Sequence, residues 1–218
     1  MGLIAIGDVH GCLKTLEVLL EQLAPTDGDH LVFVGDYVDR GPDSKGVIDY
    51  LLKLRQSVRC TFLRGNHEAL FMGYLDEAAY DIWAVNGGIA TLNSYMQPGE
   101  DVEIPEAHIA FLRETIFYYE TEEFFFVHAG LKPDLTIAQN IEVGSEDVFL
   151  WERSHLKVVD LPWEKTVVCG HTPQPEPTDR EKLINIDTGC VFYTHPRMGL
   201  LTAVHLPARE YVSIPYRG

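Results

Sequence analysis

The chain has 218 residues, of which 46% are apolar and 23% charged; this suits a folded globular chain and excludes disorder as its main state. Thirty-three acidic residues against seventeen basic ones leave a net charge of −16, which opposes general binding of nucleic acid or an anionic membrane. Holding a phosphate on such a chain needs concentrated local positive charge, and metal ions supply it.

Residues 3–6 are a short apolar run and predict a buried strand. Leu13, Leu16, Leu19, Leu20 and Leu23 share one face of a helix over 13–23. A second strand is expected over 31–34. Ser44 is placed to cap a helix that runs to Leu54, and 58–63 reads as a third strand. Strand, helix, strand, helix, strand at this spacing predicts right-handed crossovers and a parallel sheet. Residues 68 to about 120 form a helical insertion, interrupted at Asn86, Gly87 and Gly88 and again at Gln97, Pro98 and Gly99. Residues 124–127 return to strand, and 131–165 read as irregular with one short helix. Further strands are expected over 166–169, 183–186, 200–206 and 211–214, in a mixed or antiparallel arrangement. Residues 172–182, with three prolines, read as a surface loop.

The four cysteines (Cys12, Cys60, Cys169, Cys190) form no C-x-x-C pair and read as buried free thiols. No run approaches the roughly 20 apolar residues of a membrane span. The opening run is too short for a signal-peptide core, and Ile6 breaks the myristoylation pattern after Gly2. The expectation is a cytoplasmic protein with a single catalytic domain over 1–218.

Five of these strands run directly into a cluster of glycine with Asp, Asn or His. They are Gly7-Asp8-Val9-His10-Gly11, Gly35-Asp36-Tyr37-Val38-Asp39-Arg40-Gly41, Arg64-Gly65-Asn66-His67-Glu68, His128-Ala129-Gly130 and Gly170-His171-Thr172. Any one of them alone reads as a turn with a solvated histidine. Five at five strand ends point to one crevice, because the carboxyl ends of strands in α/β sheets converge. Asp8, His10, Asp36, Asn66, His128 and His171 offer carboxylate, imidazole and amide oxygen with no thiolate. That mix suits Mn²⁺, Fe²⁺ or Zn²⁺. Six ligands are too many for one ion that also holds water and substrate, and fit two ions if one carboxylate bridges.

In this order, Gly-Asp-x-His-Gly, Gly-Asp-Tyr-Val-Asp-Arg-Gly and Leu-Arg-Gly-Asn-His-Glu resemble the phosphoprotein phosphatase family of calcineurin-like metallophosphoesterases. The bacterial and bacteriophage lambda serine/threonine protein phosphatases look most similar. The resemblance extends through His128, His171 and the 186–189 segment, so it covers nearly the whole chain. It implies an α/β fold: a sandwich of two mixed β-sheets flanked by helices. It implies that Asp8, His10 and Asp36 bind one metal and that Asp36, Asn66, His128 and His171 bind the second, with Mn²⁺ the foremost candidate and Fe or Zn as alternatives. His67 and Asp39 match the family's catalytic pair. Arg40 and Arg64 match its phosphate-holding arginines, and Arg153 matches a third. The implied reaction is in-line attack on phosphorus by hydroxide shared between the two metals, with His67 as acid to the leaving group.

The implied substrate is a phosphorylated protein or peptide. The alternative is a diadenosine polyphosphate hydrolase, since such enzymes share the first motif and a Gly-Asn-His motif. Arg64 and Glu68 are the two residues that favour the protein phosphatases over it. A third reading, a metal-binding module without catalysis, predicts a lost ligand or acid, and every such position is intact. Residues 192–199 depart from the family, whose members generally have a short glycine-rich turn there.

Overall fold

The computed structural model describes residues 2–218. Among these residues the chain forms two five-stranded sheets. The first has the order β10-β9-β1-β2-β3, from β1 (Leu3–Ile6), β2 (His30–Phe33), β3 (Arg59–Phe62), β9 (Leu200–Leu206) and β10 (Glu210–Pro215). Strands β1, β2 and β3 are parallel, and β9 and β10 add antiparallel to them. The second has the order β4-β5-β6-β8-β7, from β4 (Tyr118–Glu120), β5 (Phe124–Val127), β6 (Thr166–Cys169), β7 (Thr178–Asp179) and β8 (Leu183–Asn185). Its core β5-β6-β8 is parallel, with antiparallel strands at both edges. Both sheets are mixed, as expected for the two-sheet sandwich.

The two-residue period of a strand explains how the layers stack. Ala5, Val32 and Val34 of the first sheet meet Phe124, Phe126, Val168 and Ile184 of the second in the core between the sheets. The alternate residues Ile4, Ile6, Leu31 and Phe33 face outward against α1 (Leu13–Leu23) and α2 (Ser44–Leu54). On the far side Phe125, Val127 and Val167 pack with Ile137 of α7 (Ile137–Val143) and Phe149 of α8 (Glu146–Trp151). Inner strands are thus buried on both faces, which is why they read as continuous apolar runs.

The structure corrects several local expectations. The cap of α2 is Asp43, whose carboxylate accepts from Gly46 N; Ser44 is the first helical residue, and its hydroxyl accepts from Asp39 N. The insertion comprises α3 (Asn66–Glu77), α4 (Tyr80–Trp83), α5 (Ile89–Tyr95) and α6 (Glu106–Glu114), so the 118–120 end of the expected helical stretch is strand β4. The 131–165 stretch holds two α-helices and a 3₁₀ turn at Ser154–Lys157, where one short helix was expected. The 172–182 loop contains the two-residue edge strand β7.

Candidate active site

Three of the polar clusters follow β1, β2 and β3 of the first sheet, and two follow β5 and β6 of the second. The site therefore sits where the carboxyl ends of two facing sheets meet. The first two turns are hydrogen-bonded to each other: Val9 N and His10 N both donate to Asp36 O, and Gly11 N donates to Tyr37 O. His10, Asp36, Asp39, Arg40 and His171 all adopt left-handed backbone, with φ of 44°, 53°, 70°, 67° and 65°. Such conformations cost on the order of 1–3 kcal/mol each and persist where surrounding contacts over-determine them.

Glu68 provides much of that determination. It is fully buried in the first turn of α3, and its carboxylate accepts from Gly65 N (2.8 Å), Asp36 N (2.8 Å), Tyr37 N (2.7 Å) and Val38 N (3.3 Å). Burial and the neighbouring Asp36 push its pKa up, and these backbone donors act in the opposite direction. Gly65 has to be glycine: a Cβ there would collide with Asp36 Oδ1. Gly170 is under the same constraint against Asp8 Oδ1.

Asp36 is the centre of the cluster. Its Oδ2 lies 3.4 Å from His10 Nε2 and its Oδ1 lies 3.4 Å from His128 Nε2, while Oδ1 also accepts from His67 N. His10 Nδ1 donates to Val38 O and His128 Nδ1 donates to Val34 O, each at 2.9 Å. A carbonyl can only accept, so both rings turn an Nε2 lone pair toward Asp36. Burial holds both imidazoles below their ordinary pKa, in the neutral form a metal requires. Asn66 Oδ1 lies 3.0 Å from His128 Nε2 and 2.8 Å from His171 Nδ1. Asp8 Oδ2 accepts from His171 N at 3.0 Å.

Lone pairs thus face carboxylate oxygens around a common centre, which suits a cation between them. Asp8 Oδ1 is buried with no hydrogen-bond partner among the described residues. Asp8 is pushed well above the usual carboxylate range by burial and by the charges of Asp187 and Asp36. Asp187 is pushed up to about 7, chiefly by burial. Three desolvated carboxylates with one orphaned oxygen are a costly arrangement that bound cations relieve. Two donor groups are close enough to hold an ion, His10–Asp36–His67 and Asp36–His128–His171, with Asp36 in both. The residues fit a two-metal site.

His67 belongs to the first of those groups. Its Nδ1 bonds Asp39 Oδ2 at 2.7 Å, its ring meets His10 edge-on at 4.7 Å, and its Nε2 is buried without a partner among the described residues. Burial disfavours the charged ring, but Asp36 and the Asp39 hydrogen bond outweigh it and raise the pKa. Asp39 is itself held by residues that sequence reasoning missed. Trp83 Nε1 donates to both of its oxygens at 3.0 Å, and Thr91 Oγ1 donates to Oδ1 at 2.7 Å. Trp83 is in turn stacked against Phe71 and Tyr74. No local signal marks these residues, which lie 44 and 52 positions from Asp39.

The three arginines separate. Arg40 Nη1 donates to His10 Nε2 at 2.7 Å, and Arg153 Nε donates to His171 Nε2 at 2.9 Å, so both exposed guanidiniums rim the cluster. Arg64 bonds Thr115 Oγ1 and the carbonyls of Arg113 and Thr115, and lies over Phe117 at 5.0 Å. None of these partners belongs to the cluster. The two residues that favoured a protein phosphatase are therefore both engaged in scaffolding, Glu68 in the β2 turn and Arg64 against the end of α6 and the connection that leads to β4.

Residues 1–195 match the family model for calcineurin-like phosphoesterases. The asymmetrical bis(5'-nucleosyl)-tetraphosphatase PrpE of Anoxybacillus flavithermus is 30% identical, over 96% of this chain and 92% of its own length. The same-named protein of Halalkalibacterium halodurans is 30% identical over 97% and 93%. A solved structure provisionally named a diadenosine tetraphosphatase superposes with a TM-score of 0.72 at 25% identity, covering 100% of this chain and 94% of that one. A serine/threonine phosphatase from Saccharomyces cerevisiae superposes at 0.62 with 13% identity, which shows a shared fold alone. The expected phosphoprotein or phosphopeptide partner is overturned by these relatives, which are named for a small nucleotide substrate. The physical reason is that the discriminating residues are scaffold, so they carry no information about what is esterified to the phosphate. With its two-sheet fold, its paired donor groups and this match over most of its length, the chain belongs to the calcineurin-like phosphoesterase family.

Proposed function

We propose that the chain is a bis(5'-nucleosyl)-tetraphosphatase that cleaves its substrate asymmetrically. The observation that carries this reading is the 30% identity, over 96% of the chain, to a relative of that name. In the proposed site Asp8, His10 and Asp36 hold one divalent ion, and Asp36, Asn66, His128 and His171 hold the other. Bound there, such ions supply positive charge for the phosphates and lower the pKa of a water, with Mn²⁺ our first choice and Fe or Zn the others to be compared.

The chain's own groups do the rest. Arg40 and Arg153 stand at the rim as forked donors for phosphate oxygens, which fixes the phosphorus for in-line attack. The water oxygen bonds to the terminal-nucleoside phosphorus as the bridging P–O bond breaks, and the bridging oxygen leaves with the nucleoside triphosphate. His67 Nε2 is the group that carries a proton for that oxygen, and Asp39 keeps Nδ1–H in place. Carboxylate charge in the site is offset by the ions, so a polyanion is acceptable on an acidic chain.

The test is kcat/KM on diadenosine tetraphosphate and on a phosphoserine peptide with one metal-loaded preparation, with products separated. AMP and ATP in equal amounts, at a rate at least tenfold above the peptide, are expected. Two ADP per substrate, or a tenfold preference for the peptide, overturns the reading.

A further inference from the structure

The segment 192–199 has no role in the chemistry above, yet it builds the wall of a groove next to it. Gly189 turns the chain with a left-handed φ of 67° into the 3₁₀ turn Cys190–Phe192. Beyond it a groove of about 510 Å³ opens between this loop, α5 and the C-terminal segment, lined by Arg40, Ala90, Asn93, Val191, Tyr193 and Tyr216 among others. Its size is within the range of small-molecule sites. Arg40 belongs to both places: Nη1 contacts His10 in the cluster, and Cζ lies 5.6 Å from the Phe192 ring on the loop. A phosphate held by Arg40 is thus at the inner end of the groove.

The groove's outer wall is aromatic. Tyr193 and Tyr216 are stacked with centroids 3.9 Å apart and planes 8° from parallel. Tyr193 is still 52% exposed. Stacking on Tyr216 anchors the C-terminal segment, whose Tyr216 N also donates to Gly199 O. That anchoring leaves half of an aromatic side chain in water, beside an arginine and an amide side chain. A flat heteroaromatic base suits this wall, because every nucleobase has a π-face to stack and edge groups for an amide such as Asn93 to bond. We infer that the groove is a nucleoside subsite, in which one base of the substrate stacks on Tyr193 and its 5'-phosphate is held by Arg40. This rests on the dinucleotide reading above. It adds a reason for unequal cleavage: a base seated one arginine away from the metal donors brings its own phosphate, not the middle of the chain, to the cluster.

The experiment measures steady-state kinetics on diadenosine tetraphosphate with metal-loaded wild type, Tyr193→Ala, Tyr193→Phe and Ala90→Trp. Tyr193→Ala removes the stacking face, and Ala90→Trp fills the groove from α5. Each is expected to raise KM at least tenfold, about 1.4 kcal/mol in binding, with kcat within about threefold. Tyr193→Phe keeps the face and is expected to keep KM. A wild-type KM in either Tyr193→Ala or Ala90→Trp overturns the subsite while leaving the proposed function standing. A wild-type chain that hydrolyses p-nitrophenyl phosphate but not the dinucleotide overturns the proposed function, and the subsite with it.

Discussion

His67 is fully buried, yet one of its ring nitrogens has no partner among the described residues and the other is fixed to Asp39 at 2.7 Å. A group arranged in this way is positioned to give up a proton, and its worth depends on how much the leaving oxygen needs one. An alkoxide is a strong base. The terminal oxygen of a nucleoside triphosphate is not, since the second ionisation of a phosphate falls near pH 6. His67→Asn is therefore expected to slow an alkyl phosphate about 10²–10⁴-fold and the dinucleotide distinctly less, with metal content retained. Equal losses on both substrates, measured as kcat beside metal analysis, would remove His67 from the acid role. The resemblance already paired Asp39 with His67, whereas the lone pairs of His10 and His128 were foreseeable only as residue types. Their orientation depends on Val38 and Val34 carbonyls, whose direction is a property of the folded turns.

Helix α3 carries its function in its first turn. Asn66, His67 and Glu68 are consecutive and all buried; in the proposed site the first is a ligand and the second the acid, while Glu68 braces the β2 turn. The helix starts at Asn66, two residues before the expected insertion, and Glu68, at the capping-pattern spacing of three residues after Gly65, bonds back to its N–H. What the pattern does not mark is that the same carboxylate reaches across to three N–H groups of the β2 turn. Glu68→Ala leaves four buried backbone donors unpaired, at about 1–3 kcal/mol for each that water does not reach. We expect a loss of at least about 3 kcal/mol in stability by urea unfolding, and a turn too loose to hold Asp36. A destabilisation below about 1 kcal/mol would show that Glu68 is not the brace. The insertion that follows is likewise more than an outgrowth. It delivers Trp83 and Thr91 to Asp39 and offers Gly87 O to Arg40 N, so it completes the catalytic turn from outside.

At the scale of the molecule, two sheets are pressed together at an edge that holds three buried carboxylates. Asp8, Asp36 and Asp187 come from the β1, β2 and β8 ends, and burial beside one another pushes Asp8 and Asp187 up. Cations that bind only the folded chain stabilise it by mass action, about 2.7 kcal/mol per site at a hundredfold excess over Kd. For a chain of this length that corresponds to a Tm rise of about 5–10 °C per site. Chelation is expected to lower Tm by that order and abolish turnover, and divalent metal is expected to restore both. Asp36→Asn, which weakens both donor groups, should show little Tm response to chelator. A wild-type Tm indifferent to chelator would count against a metal centre shared by the two sheets.

The two-sheet layering came from the family resemblance, while the sequence by itself determined the main strands, the order of the polar clusters and the donor chemistry. These are local properties: an apolar run buried on both faces, and a Gly-Asp-x-His-Gly turn contiguous with the strand that aims it. That phosphate is the reacting group came from the resemblance of those motifs to the calcineurin-like metallophosphoesterases, and the family match bears it out. Only the tertiary structure decided that three clusters come from one sheet and two from the other, that Arg64 turns to Thr115 and Phe117, and that Trp83 and Thr91 close on Asp39. Those contacts join residues far apart in the chain, and no periodicity encodes them. Substrate identity is of the same kind. In the proposed site the turns around Asp36 and His67 hold the phosphate, and the proposed nucleoside subsite beside Arg40 is assembled from α5, residues 191–194 and Tyr216 only when the chain has folded.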